Sequence, residues 1–113
     1  TEEASYTLKK GSKEVNNEVT LRRCEESTYF TRAKGYAVVE RWDKALAELK
    51  KDVEAYPNNA NVHYNLGVAY EANGRFSNAL VEYDKAYDLN PEEMLYQRAW
   101  KRAKEASKEL NSK

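Results

Sequence analysis

The sequence predicts an all-α fold of short antiparallel helix–turn–helix repeats, and three observations carry the prediction. Residues 60–93 hold two amphipathic stretches at helical spacing around a tight Asn73-Gly74 turn. Residues 26–59 repeat that pattern at an offset of 34, and a final apolar stripe runs from Leu95 to Leu110.

In the clearer unit, Leu66, Ala69 and Tyr70 share one face of a first helix, and Ala79, Leu80, Tyr83, Ala86 and Tyr87 share one face of a second. Gly67 and Ala79 are small enough to let two backbones approach, while Tyr70, Phe76 and Tyr83 fill the space beside them. Gly74 accepts the positive φ of a tight turn. Ser77 is expected to cap the second helix. Asn90 is expected to cap the next one, with Pro91 in its first turn and Glu92 and Glu93 near its positive end.

Leu66, Gly67, Tyr70, Gly74, Phe76, Ala79, Tyr83, Ala86 and Pro91 stand at the spacing of the tetratricopeptide repeat, so residues 60–93 resemble one complete repeat of that family. His63 stands where the pattern has a bulky residue. Residues 26–59 resemble a degenerate repeat: Tyr36, Arg41, Ala45, Leu46, Glu48, Lys51 and Pro57 match their counterparts, with Trp42 for Phe76, Ala33 for Gly67 and Leu49 for Tyr83. The departures are Arg32 for Leu, Glu40 for the turn glycine and Asp52 for Ala. Asp43 is expected to cap as Ser77 does. Residues 94–113 resemble the capping helix that ends such arrays, with Leu95, Ala99, Ala103, Ala106 and Leu110 inward and Tyr96 and Trp100 widening the stripe. Two repeats and a cap fall short of the usual three, so the flanking segment, self-association or further sequence must supply burial.

Residues 1–25 form a separate flank. Ala4–Leu8 and Glu18–Leu21 alternate as strands would, which suggests a hairpin. A helix from Ser12 or Asn17, with Val15, Val19 and Cys24 inward, is the competing reading, and the torn edge of a larger domain is a third. The favoured expectation is extended or irregular chain to about residue 16, then helix.

Composition narrows the function. Nineteen basic and nineteen acidic residues cancel, which argues against general affinity for nucleic acid or anionic membrane. No apolar run approaches the ~20 residues that cross a bilayer. Cys24 is the single cysteine, so no intramolecular disulfide is possible, and a small semi-buried residue is the expected role. The chain starts at Thr1, the mark of a processed or excised piece, and its compartment stays open between the cytoplasm and an exported bacterial precursor. His63 is the sole histidine, no glycine-rich phosphate loop is present, and no nucleophile has a base at an identifiable spacing. No catalytic, metal or cofactor site is expected.

The family resemblance implies a concave groove lined by the first helix of each repeat. Phe30, Thr31, Lys34, Tyr64, Asn65 and Val68 would face it, joined by Arg98 and Arg102 from the last helix. Relatives that grip chaperone C-termini use a clamp of Lys, Asn and Arg. Asn65 matches its central asparagine, but Phe30, Lys34, Leu95 and Ala99 replace the rest, which argues against that ligand. The expected partner is an extended protein segment of acidic or C-terminal character, held by Tyr64 and Asn65 with Lys34, Arg98 and Arg102 as charge partners. A merely solvated face is the plain alternative. A homo-oligomer joined through Tyr96, Trp100 and the flank, or an accessory module of a larger enzyme or exported lipoprotein, are the competing roles.

Overall fold

The computed structural model describes residues 4–10, 13–22 and 27–111, with side chains at 21–22 and 27–109. A β-hairpin precedes five helices: β1 (Ala4–Lys10), β2 (Lys13–Leu21), α1 (Thr28–Val38), α2 (Trp42–Ala55), α3 (Ala60–Ala72), α4 (Phe76–Leu89) and α5 (Met94–Asn111). Each helix packs on the next in sequence. The second helices of the two pairs keep the 34-residue offset at both ends, from Trp42 to Phe76 and from Ala55 to Leu89.

The two helix–helix turns are built alike although only one contains glycine. Arg41 N–H donates to Tyr36 O at 2.8 Å, and Arg75 N–H donates to Tyr70 O at 2.9 Å. Between them Gly74 has φ 76° and Glu40 has φ 59°. The Glu40 substitution leaves the turn intact and places a side chain in the left-handed region. Since the backbone enters the helix directly after this turn, Arg41 and Arg75 hold the N-cap positions, neither helix has a side-chain cap, and Asp43 and Ser77 lie inside the first turn. The expected caps at Asp43 and Ser77 are thereby corrected.

A second correction concerns Asn90-Pro91. Asn90 closes α4, Pro91 and Glu92 form a turn, and α5 begins only at Met94. The same interval separates Pro57 from Ala60, where Asn59 caps α3 by accepting from Asn61 N–H at 3.0 Å. Proline thus ends each pair and sits outside the following helix.

The helix expected from about residue 17 is replaced by β2. Ala4 pairs with Leu21 and Tyr6 with Val19, antiparallel, with an irregularity between Thr7 and Lys9. Val15, Val19 and Thr20 are β-branched, and the pairing partner available in residues 4–10 decides the contest with helical spacing. Both strands pack on α3, and β1 also on α1. Cys24 and the Glu25-Glu26 pair lie outside the described residues.

The core follows the size pattern. Ala33, Ala45, Ala79, Ala86, Ala99 and Ala103 have essentially no exposure, and Leu49, Val68 and Tyr83 pack in the same core. Asp52, which replaces an alanine of the pattern, is fully buried and accepts from Ser27 Oγ at 2.5 Å. Ser27 in turn accepts from Phe30 N–H at 3.0 Å, so the carboxylate orients the residue that caps α1. Burial raises the Asp52 carboxyl above its ordinary range, against the opposing hydrogen bond from Ser27.

Candidate peptide-binding face

Of the expected groove residues, Phe30, Tyr64, Asn65 and Val68 are buried, Thr31 and Arg98 are exposed, and Lys34 and Arg102 are intermediate. The aromatic floor exists but is not open to solvent. Leu21 belongs to the same core cluster as Phe30, Tyr64 and Val68, and the hairpin packs on the helices that carry them. Thr31 Oγ1 donates to Ser27 O at 3.2 Å.

Asn65 is the centre of this face. Arg22 N–H donates to Asn65 Oδ1 at 2.7 Å, and Asn65 Nδ2 donates to Arg22 O at 2.6 Å. One side-chain amide therefore satisfies both backbone groups of a single residue, as a neighbouring strand would. The Arg22 guanidinium pairs with Glu93, immediately before α5, and both side chains are about one-third exposed, at 34% and 32%. Leu21, Arg22, Asn65 and Glu93 thus join the hairpin, α3 and the entry to α5.

Tyr64 lies between Tyr83 and Tyr96, with ring centroids 5.8 and 5.7 Å away. Tyr96 Oη donates to Asn61 Oδ1 at 2.6 Å. Tyr64 Oη has no hydrogen-bond partner among the described residues, and burial pushes its phenol up to about 12. Arg102, expected to serve an incoming carboxylate, already serves one. It donates from Nε and Nη2 to Glu71 at 2.8 and 2.9 Å, while Tyr83 Oη donates to the same carboxylate at 2.7 Å. Burial works against the Arg102 charge, but the hydrogen bonds and charge of Glu71 outweigh it and raise the group further. Arg102 is a strut between α5 and the end of α3.

The sequence reading missed Glu71, Glu93 and Arg22. Glu71 carried a signal: it is an acidic residue in the last turn of its helix, where the dipole disfavours it, so a specific cation had to be near. His63, read as a packing position, is buried and bonded at both nitrogens. Nδ1 lies 2.8 Å from Glu82 Oε1, and Nε2 lies 2.6 Å from Pro57 O. The Glu82 hydrogen bond raises its pKa, burial opposes this, and Pro57 adds to the rise. No cluster of three or more metal-ligating side chains occurs among the described residues.

The family model for the tetratricopeptide repeat matches residues 60–93, and a second, described as TPR repeat, matches residues 40–74. A solved structure described as MamA MSR-1 C2 is similar at 35% identity and a TM-score of 0.63, over 68% of this chain and 44% of that one. This chain therefore spans less than half of that structure's length. No curated protein matches the sequence. The first match spans the α3–α4 pair and the second spans α2 and α3, so the chain carries tetratricopeptide repeats. Repeats of this kind are protein–protein interaction modules and in general not enzymes.

Proposed function

We propose that this chain is a docking module whose concave face, carried by α1, α3 and α5, holds an extended protein segment for assembly or tethering. The observation that supports this reading is Asn65, whose buried amide bonds both backbone groups of Arg22 and so has the geometry to read main chain independently of side chain. Arg102 is spent on Glu71 and does not offer its charge to an acidic ligand. The test is an amide-shift map of the labelled domain against a panel of six-residue extended peptides. Perturbations centred on α1, α3, the start of α5 and the Leu21-Arg22 segment that packs against them are expected. Shifts confined to α2 and α4, or none, would remove the groove as the functional surface.

A second reading is self-association at the α4–α5 end. A cavity of about 230 Å³ opens there beside Tyr87 and Trp100, and Tyr87, Leu89 and Met94 are 37%, 42% and 51% exposed. Tyr96, expected among its contacts, is buried instead. A solution mass that stays monomeric across a hundredfold concentration range would dismiss it.

A further inference from the structure

The groove is already filled by its own chain, and the filling has a definite chemistry. Leu21 is fully buried in the core, the Arg22 backbone is bonded twice to Asn65, and the Arg22 guanidinium pairs with Glu93. We propose that Leu21-Arg22 is a tethered stand-in for the partner, and that the groove recognises in trans an extended segment carrying a large aliphatic residue followed by a basic one. This rests on the docking reading above and names its ligand class.

Three features of the site support the assignment. The aliphatic position, Leu21, is fully buried in the same apolar core as Phe30, Tyr64 and Val68. Asn65 fixes the next residue by its main chain alone, which any sequence except proline supplies at that N–H. Discrimination at that residue then falls to Glu93, whose carboxylate selects a cation and repels an acid. Arg102, one of the cations expected to attract an acidic ligand, is neutralised by Glu71. The recognised charge is therefore positive, opposite to the sequence expectation.

A tethered occupant lowers apparent affinity in trans, because only the fraction of molecules with the hairpin displaced can bind. An isolated two-stranded hairpin has little stability of its own, so its hold depends on these anchors. Loosening the anchors in the full chain should open the site.

The probe is the labelled peptide acetyl-Glu-Val-Thr-Leu-Arg-Arg-amide, the sequence of residues 18–23, with acetyl-Glu-Val-Thr-Leu-Glu-Glu-amide as its acidic counterpart. Binding is read by fluorescence anisotropy on the full chain and on a Leu21→Ala/Arg22→Glu variant whose helical circular dichroism is checked first. The basic peptide should bind the variant about tenfold more tightly than it binds the unaltered chain. Adding Glu93→Lys should reverse that gain and favour the acidic peptide. If the double variant loses helicity, Arg22→Glu alone keeps Leu21 in place, and a gain of about threefold is expected. Equal or better binding of the acidic peptide, or no response to Glu93→Lys, overturns the aliphatic–basic assignment and leaves the groove reading standing. Failure of a folded, loosened variant to bind either peptide overturns both.

Discussion

Tyr83 lies so close over Gly67 that a Cβ on the glycine would stand 2.4 Å from Tyr83 Cε1. The ring cannot easily swing aside. Its hydroxyl donates to Glu71 at 2.7 Å and accepts from Arg102 at 3.3 Å. Gly67→Ala should gain about 1 kcal/mol of helix propensity but lose more to overlap, about 1–3 kcal/mol, for a net loss. Chemical denaturation of the two proteins measures this difference, and an unchanged midpoint would contradict the assigned register.

The Glu71–Arg102 pair should behave as a buried pair rather than a surface one, since its side chains are 5% and 19% exposed. Arg102→Met leaves the Glu71 carboxylate buried with only the Tyr83 hydroxyl and should cost about 3 kcal/mol. Glu71→Met added to it should restore much of that loss. A double-mutant cycle gives the coupling, and simple additivity of the two single losses would reduce the pair to packing.

His63 makes stability depend on pH in a defined direction. Both ring nitrogens face acceptors, so the imidazolium is the form that satisfies Glu82 and Pro57 together. Its pKa is raised above the ordinary 6.5, and the contribution is complete below that value and lost as pH climbs through the folded value. For Glu82, burial favours the neutral acid, but the His63 hydrogen bond and the nearby Lys85 charge outweigh it and lower the group below 4.5. Its contribution is present above 4.5 and lost as pH falls through the folded value. The stability advantage of the unaltered chain over His63→Gln should therefore shrink as pH rises above about 6.5 in thermal melts. An advantage that grows with pH would mean that the ring is neutral when folded.

Glu40 occupies a left-handed conformation at φ 59°, in a turn whose counterpart uses glycine. Glu40→Gly should stabilise the chain by up to about 1 kcal/mol, as relief of the conformational cost exceeds the added freedom of the unfolded state. The same denaturation experiment reads it, and a loss would show that the Glu40 side chain holds the turn.

The helical pairs were legible because packing size is local information: Gly67 with Tyr83 in one pair and Ala33 with Leu49 in the other, Ala79 three after Phe76 and Ala45 three after Trp42, recur at fixed spacing. Polar pairing was not. Ser27 meets Asp52 and Glu71 meets Arg102 across 25 and 31 residues, and no sequence period links such partners. The hairpin was half visible, since Val15 and Val19 fit a helix as well as a strand until β1 is known to pair with β2. Asn65 was found, but what it holds was not, because its partner is main chain and leaves no side-chain signature.

Asn73 donates from Nδ2 to Trp42 O at 3.1 Å and to Ala69 O at 3.0 Å. A single amide thus rivets the elbow of the second helix pair to the opening peptide of the preceding helix. The pitch of the array is fixed at that rivet: flexing one pair against the other must stretch it. A pull on the two ends would meet a stiff hinge there, and the two helix pairs would move as one body.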